Sequence, residues 1–181
     1  MKPARFLVPL AIAGLIAGLG WFWLPTAGPV ASPDITLRSI DGRAIALNRL
    51  RGRPVLVTFW ASTCTGCLKE IPHLADLYRD LSPKGLEVIG IAMYYDPPNR
   101  VLALQKSRDI PYTIALDVQA DASRAFGDVR VTPTSFLIDP EGQIVYRNSG
   151  VMNMEHVRRK VLDMIAKHKR AAPESAPGET G

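Results

Sequence analysis

Residues 55–72 of the chain have the sequence VLVTFWASTCTGCLKEIP. The first five, Val55 to Phe59, form a continuous run of aliphatic, β-branched and aromatic residues, which is typical of a strand buried on both faces of a sheet. From Cys64 to about Leu81 the apolar residues recur at helical spacing, which predicts an amphipathic helix. The two cysteines of the chain, Cys64 and Cys67, therefore fall where a buried strand passes into a helix.

The segments on either side of this stretch alternate between strand and helix patterns. Further strands are predicted at Ile35–Arg38, Ala44–Leu47, Val88–Ala92, Thr113–Leu116, Ser135–Ile138 and Ile144–Arg147. Further helices are predicted at Asn99–Arg108, Ala120–Phe126 and about Asn153–His168. The first two strands flank Asp41-Gly42, a strong hairpin turn signal. This order predicts an α/β domain with a central mixed sheet, helices on both of its faces and an added N-terminal β-hairpin.

The start of the chain predicts a membrane anchor. Residues 6–24 carry no charged side chain, and about 20 apolar residues span the hydrocarbon of a bilayer as one helix. Lys2 and Arg5 precede this run, so residues 1–5 are expected in the cytoplasm and the domain outside. The alternative is a cleaved signal peptide, whose apolar stretch is usually about 7 to 15 residues long.

The rest of the chain divides into a linker, one folded domain and a tail. Residues 25–33 are rich in proline and predict a short extended linker. Residues 34–170 contain the strand and helix patterns, and residues 171–181 are low in apolar residues, which predicts a disordered tail. We therefore expect a single-pass protein of the cytoplasmic (inner) membrane, monomeric, whose domain faces the periplasm or another extracytoplasmic space.

Composition and charge exclude several classes of protein. The chain has 181 residues, of which 47% are hydrophobic and 22% charged, the balance of a globular domain. Two cysteines are too few for a disulfide-stapled scaffold or for an all-cysteine zinc site. The net charge is +5, but no aromatic residues interleave the basic clusters, so nucleic-acid binding is not expected.

The cysteine pair permits three interpretations on its own. Two cysteines three residues apart at the first turn of a helix are close enough to form a disulfide. The free amide hydrogens of the helix start favour a thiolate at Cys64, as in a redox-active dithiol. A permanent disulfide is the second interpretation, although so small a loop stabilises weakly. A metal-binding pair is the third, although it lacks the remaining ligands.

Two segments of the chain resemble a known family. The sequence FWASTCTGCLKEIPHL, residues 59–74, resembles the active-site segment of the thioredoxin superfamily. More narrowly, it is similar to the membrane-anchored, extracytoplasmic thioredoxin-like reductases of the TlpA and ResA type. The sequence VRVTPTSFLIDPEGQIVYR, residues 129–147, is similar to that family's segment around a cis proline. The resemblance extends from about Ile35 to Ile165 and implies a thioredoxin-like fold.

The resemblance also implies roles for individual residues. Cys64 would be the attacking thiol and Cys67 the resolving thiol, and their redox-active disulfide would be the only cofactor. Substrate binding would involve Trp60, Thr65, Gly66, Thr132 and Pro133, with the Thr132-Pro133 peptide bond in the cis form facing the thiols. The Thr65-Gly66 dipeptide would tune the redox potential. No metal is expected.

Two positions depart from relatives. Thioredoxin commonly has a buried aspartate six residues before the first cysteine, where this chain has Thr58, which cannot act as a base near neutral pH. Glu70 instead matches the ResA-type pattern C-x-x-C-x-x-E and lies on the same helical face as Cys67. It could relay a proton between Cys67 and solvent; the alternative is an exposed helix residue. Thr63 replaces a tryptophan of many relatives, which makes the substrate-facing surface less aromatic.

The function expected from these patterns is the reduction of protein disulfides outside the cytoplasmic membrane. With two cysteines the protein cannot regenerate itself, so we expect a membrane-embedded thiol electron donor as partner. The resemblance suggests apocytochrome c, during cytochrome c maturation, as a substrate. A disulfide oxidase or isomerase on the same fold stays open. A peroxiredoxin is disfavoured because Val57 and Ala61 occupy the motif positions before Cys64, and a Sco-like copper-handling protein because the cysteine spacing is one residue short.

Overall fold

The computed structural model describes residues 30–171 of the chain. The predictions for the cytoplasmic residues 1–5 and the membrane anchor 6–24 lie outside the described residues, as do most of the linker and of the tail. Within residues 30–171, none of the helices combines the length and the hydropathy needed to cross a membrane.

Eight strands form one mixed sheet. In chain order they are Val30–Ala31 (β1), Thr36–Ser39 (β2), Ala44–Ala46 (β3), Val55–Trp60 (β4), Glu87–Ala92 (β5), Thr113–Leu116 (β6), Thr134–Ile138 (β7) and Gln143–Ser149 (β8). Their order across the sheet is β1-β8-β7-β4-β5-β6-β2-β3. β4, β5 and β6 run parallel, and every other neighbouring pair is antiparallel.

Four α-helices connect or follow these strands. They are Thr65–Leu81 (α1), Pro98–Ser107 (α2), Asp121–Ala125 (α3) and Met154–Ala171 (α4), with short 3-10 turns at Leu47–Leu50 and Ser82–Lys84. The order of strands and helices is that of a thioredoxin-like α/β fold. The predicted mixed α/β architecture is confirmed for residues 30–171.

β4 is the central strand and it positions the cysteines. All six of its residues are buried, because β5 pairs with it on one side and β7 on the other. Its side chains alternate between the two faces of the sheet: Leu56 and Trp60 join the core under one set of helices, and Val57 and Phe59 join the other. The chain leaves β4 at Trp60 and enters α1, so the cysteines lie at the carboxyl end of the strand.

The two faces of the sheet have separate cores. One contains residues of the sheet, α1 and α4, among them Leu56, Leu74 and Val161. The other lies under α3 and the β2–β3 pair, and its centre is the aromatic trio Phe59, Phe126 and Phe136, whose ring centroids are 4.9 to 6.0 Å apart. A sheet with an apolar core on each face holds β4, and the turn that follows it, in a fixed position.

Two boundaries differ from the sequence prediction because backbone pairing extends past the hydrophobic pattern. Val30 and Ala31 belong to the predicted linker, yet they form β1 by pairing with Ile144 and Gln143. Similarly, β8 continues through Asn148–Ser149, which pair with β7 although their side chains are polar. In both places an extended backbone pairs with a neighbouring strand, and side-chain periodicity does not report that pairing.

Candidate active site

Cys64 and Cys67 form a disulfide across the first turn of α1. Cys64 is the N-cap residue, and its sulfur accepts a hydrogen bond from the backbone N–H of Cys67 at 3.1 Å. Cys64 is half-buried, whereas Cys67 is only 2% exposed. The more accessible sulfur is thus the one that faces the unpaired amides of the helix start, which would stabilise its thiolate after reduction.

A second loop meets the disulfide from the side. The Thr132–Pro133 peptide bond is cis, as the resemblance implied. Thr132 is half-buried and Pro133 buried. A Cβ atom added at Gly66 would lie 3.5 Å from Pro133 Cδ and 3.3 Å from Val151 Cγ2. Glycine at this position therefore lets the cysteine turn pack closely against both the proline loop and the loop before α4.

The loop before α4 is hydrogen-bonded to the proline loop and to α1. The backbone N–H of Gly150 donates to the carbonyl of Pro133 at 2.8 Å. The backbone N–H of Met152 donates to the carboxylate of Glu70 in α1. The proline loop and the loop before α4 thus converge on the cysteine turn, which is far from both in sequence. Val131 and Val151, at the edges of this junction, are exposed.

Trp60 lies below the site rather than on its surface. It is 4% exposed and shares a core cluster with Cys67. Its indole Nε1 is buried without a hydrogen-bond partner among the described residues and points toward Gly90. Thr65 is exposed on the first turn of α1. Of the predicted substrate-binding residues, Trp60 is therefore placed to support the cysteine turn, and Thr65 and Thr132 reach the surface.

The position that holds the aspartate in thioredoxin is occupied by a neutral pair. Thr58 and Ser135 face each other on β4 and β7. The Ser135 hydroxyl donates to Thr58 Oγ1 at 2.9 Å, and both side chains are buried. Because neither hydroxyl is basic near neutral pH, this position holds no proton acceptor for the dithiol.

Glu70 is a buried acid one helical turn beyond Cys67. It is 1% exposed, so the alternative of an exposed helix residue is wrong. Its Oε1 accepts a hydrogen bond from the backbone N–H of Met152 at 2.5 Å. Burial raises the pKa of Glu70, opposed by the Met152 hydrogen bond and by the nearby His73.

Two tyrosines, the buried Tyr112 and the half-buried Tyr146, lie near enough to Glu70 to respond to its charge. Burial raises the pKa of Tyr112 and of Tyr146, and the negative charge of Glu70 raises both further. The charge of Glu70 therefore acts on both tyrosines. Sequence patterns alone did not indicate that these two residues belong to the site.

A second buried carboxylate near the site, Asp96, was not predicted from the sequence. It follows β5 and accepts hydrogen bonds from the backbone N–H and the hydroxyl of Ser62, two residues before Cys64. Tyr94 and Tyr95 precede it and are exposed, with their rings 5.2 Å apart in an edge-to-face pair. The proximity of Asp96 to the cysteine turn could have been inferred, because β5 is parallel to β4 and the loops after both strands leave the same edge of the sheet.

The arrangement can exchange a disulfide with another molecule, and comparisons with known proteins agree with that chemistry. Residues 30–147 match the sequence model of the AhpC/TSA family. The thiol-disulfide oxidoreductase ResA of Bacillus subtilis (strain 168) is 31% identical over 121 residues, which cover 67% of this chain and 66% of that protein. ResA of Geobacillus kaustophilus is 30% identical over 161 residues, covering 88% and 91% respectively.

The fold agrees as well. A thiol:disulfide interchange protein of the thioredoxin family from Chlorobium tepidum superposes with a TM-score of 0.70 at 26% identity, covering 77% of this chain and 98% of that one. The chain therefore belongs to the AhpC/TSA family and is a thioredoxin-like thiol:disulfide oxidoreductase of the TlpA/ResA type.

Proposed function

We propose that this protein is a membrane-anchored, extracytoplasmic reductase of protein disulfides. The observation that carries the proposal is the asymmetry of the cysteine pair: Cys64 is half-buried and Cys67 is covered behind it. An accessible sulfur can attack a large substrate, and a covered sulfur can react only with the bond that the first sulfur has formed.

The reaction proceeds in two exchanges. The Cys64 thiolate attacks one sulfur of the substrate disulfide, forming a mixed disulfide and releasing the other substrate sulfur as a thiolate. Cys67, once deprotonated, attacks the Cys64 sulfur, and the second substrate sulfur leaves as a thiolate that takes up a proton. The substrate gains two electrons, and the enzyme is left with the Cys64–Cys67 disulfide. The bonded state seen in the structure is this oxidised form.

The surface around Cys64 suits a polypeptide substrate. Val131 and Val151 flank the proline loop, and Tyr94 and Tyr95 lie on the loop that Asp96 ties to the cysteine turn. Exposed apolar and tyrosine side chains around a reactive group favour contact with protein chains. The half-buried Thr132 beside the cis bond offers backbone for pairing with an extended segment. Apocytochrome c, whose cysteines must be reduced before haem attachment, is the substrate we propose.

The oxidised enzyme requires an external reductant. The chain has only two cysteines, and both are in the disulfide. An electron donor that carries its own dithiol must therefore reduce Cys64–Cys67, and for an anchored protein we propose a membrane-embedded donor. No cofactor beyond the disulfide enters the proposed reaction, and the protein would act as a monomer.

The direction of electron flow is tested by the reduction potential of the Cys64–Cys67 pair. We expect a value nearer to the about −270 mV of thioredoxin than to the about −120 mV of strong disulfide oxidants. Equilibration of the protein with glutathione buffers, followed by alkylation and mass measurement, gives this potential. A value at the oxidising end would instead assign the protein as an oxidase or isomerase on the same fold.

The anchor is tested by the location of the mature protein. Because residues 6–24 are long enough to span a bilayer, we expect the full-length chain to stay in the membrane fraction after an alkaline carbonate wash. Protease added to the outside of spheroplasts should digest its domain. A mature amino terminus near Ala31 or Ser32, with the protein released by osmotic shock, would show that the segment is a cleaved signal.

A further inference from the structure

Asp96 is a buried carboxylate, and both of its oxygens accept hydrogen bonds from Ser62 in the active-site turn. Oδ2 accepts from the backbone N–H of Ser62 at 2.5 Å, and Oδ1 accepts from the Ser62 hydroxyl at 2.6 Å. Asp96 is only 6% exposed. Burying a carboxylate is costly unless it is well hydrogen-bonded, so this contact is specific rather than incidental.

The contact belongs to a set of bonds that tie two loops together. The backbone N–H of Met93 donates to the carbonyl of Trp60 at 3.0 Å, and the N–H of Asp96 donates to the carbonyl of Met93 at 2.9 Å. On the other side, the N–H of Cys64 donates to the carbonyl of Ala61 at 3.0 Å. Ser62 therefore lies inside the tight turn that delivers Cys64 to the helix start, and Asp96 holds that turn from the neighbouring loop.

The negative charge of Asp96 is not neutralised by an ion pair with any of residues 30–171. Other charged side chains on the segments around the turn are Lys69 and Glu70 of α1, the exposed Arg100 of α2 and Arg130 before the proline loop. Lys69 and Arg130 are exposed, and Arg130 is paired with Asp128 at 3.5 Å. Glu70 follows Cys67 in α1, whereas Asp96 is hydrogen-bonded to Ser62, which precedes Cys64.

We propose that Asp96 is a positioning residue of the dithiol, which acts on Cys64 through Ser62. It fixes the turn so that the helix-start amides face the Cys64 sulfur. Its buried charge also opposes the Cys64 thiolate, because like charges in a poorly solvated site repel. A less stable thiolate makes the dithiol a better reductant, since the reduced form is the one that carries the thiolate. Asp96 acts on the Cys64 side of the pair, as the proposed proton relay by Glu70 acts on the Cys67 side.

The test replaces Asp96 by asparagine in the full-length protein. Asparagine keeps the shape and an oxygen acceptor for Ser62 but removes the charge. We expect iodoacetamide to label Cys64 of the reduced variant about three to ten times faster at about pH 6, because the thiolate fraction rises as its pKa falls. The equilibrium constant for oxidation of the dithiol by glutathione disulfide should fall by a comparable factor. Asp128→Asn, which removes an exposed charge, is the matched control and should change neither value.

A second variant distinguishes positioning from general loosening of the fold. Ser62→Ala removes the hydroxyl bond to Asp96 but keeps the charge, which then lacks one of its donors. Cys64 labelling should therefore slow about twofold, opposite to the effect of Asp96→Asn. Loosening alone would move both variants in the same direction, and that result would overturn the proposal. The proposal is also overturned if Asp96→Asn shows the same labelling rate and equilibrium constant as Asp128→Asn. If Asp96→Asn does not fold, unchanged or faster labelling of Cys64 in Ser62→Ala overturns it.

Discussion

Cys67→Ser is expected to stop turnover and to trap the substrate on the enzyme. The variant keeps the half-buried Cys64, which can still attack a disulfide, but it has no thiol to resolve the mixed disulfide that results. Reduction of insulin disulfides with a dithiol donor should fall by more than about a thousandfold. The mixed disulfide should appear as a covalent adduct on non-reducing gels and disappear on addition of reductant.

Cys64→Ser is the matched control for this experiment. It should be equally inactive, yet it should form no adduct, because Cys67 is 2% exposed and cannot reach a large substrate. In the reduced native protein, brief alkylation at neutral pH should modify Cys64 well before Cys67. Adducts formed by Cys64→Ser, or preferential labelling of Cys67, would reverse the assigned roles of the two thiols.

Local sequence signals were sufficient for most of the fold. The buried run at Val55–Phe59 and the helical spacing that follows it placed β4 and α1 within one residue of their observed bounds. These elements are long and strongly periodic, so side-chain pattern alone defines them. β1 was missed because a two-residue edge strand has no periodicity, and its formation depends on β8, more than a hundred residues later.

The site was predictable where it follows a motif and unpredictable where it depends on distant contacts. The cysteine pair and the cis Thr132–Pro133 bond carry recognisable sequence patterns. Asp96 contacts Ser62 across 34 residues of sequence, and no short motif connects the two. Trp60 was placed near the thiols, but its burial depends on how the helices cover the sheet, which the sequence pattern does not specify.

The burial of Glu70 could have been inferred from its helix. Counting from Cys67 along α1, the buried positions include Ile71, Leu74 and Leu81, and Glu70 falls within the same stripe. Because the buried positions continue past Glu70 to Leu81, the helical pattern places Glu70 on the face of α1 that packs on the sheet. What the sequence could not supply is its partner, the backbone of Met152, 82 residues away.

Glu70→Gln is expected to change both the stability and the chemistry of the protein in defined directions. Burial raises the pKa of Glu70 above its ordinary value of 4.5, so the folded state favours the protonated form. The corresponding stabilisation is complete below pH 4.5 and is lost as the pH rises through the raised value. Glutamine removes this dependence and can still accept the Met152 hydrogen bond. Above that pH the variant should therefore unfold at higher denaturant concentration than the native protein, with no gain below it.

The effect on the thiols separates a proton relay from a buried structural acid. The charge of Glu70 opposes a thiolate at Cys67, so the thiolate absorbance of the variant should titrate at lower pH. Loss of the carboxylate also removes the acceptor for the Cys67 proton. The resolving step should then slow by about a hundredfold in a rapid-mixing assay, although the thiols are easier to ionise. Below the thiol pKa, slower resolution together with a lower thiol pKa indicates the loss of a proton acceptor, because the larger ionised fraction of Cys67 outweighs its lower nucleophilicity. Asp76→Asn, an exposed acid on the same helix, is the control and should change neither the titration nor the rate. A Glu70→Gln protein that resolves mixed disulfides at the native rate would limit Glu70 to holding the loop at Met152.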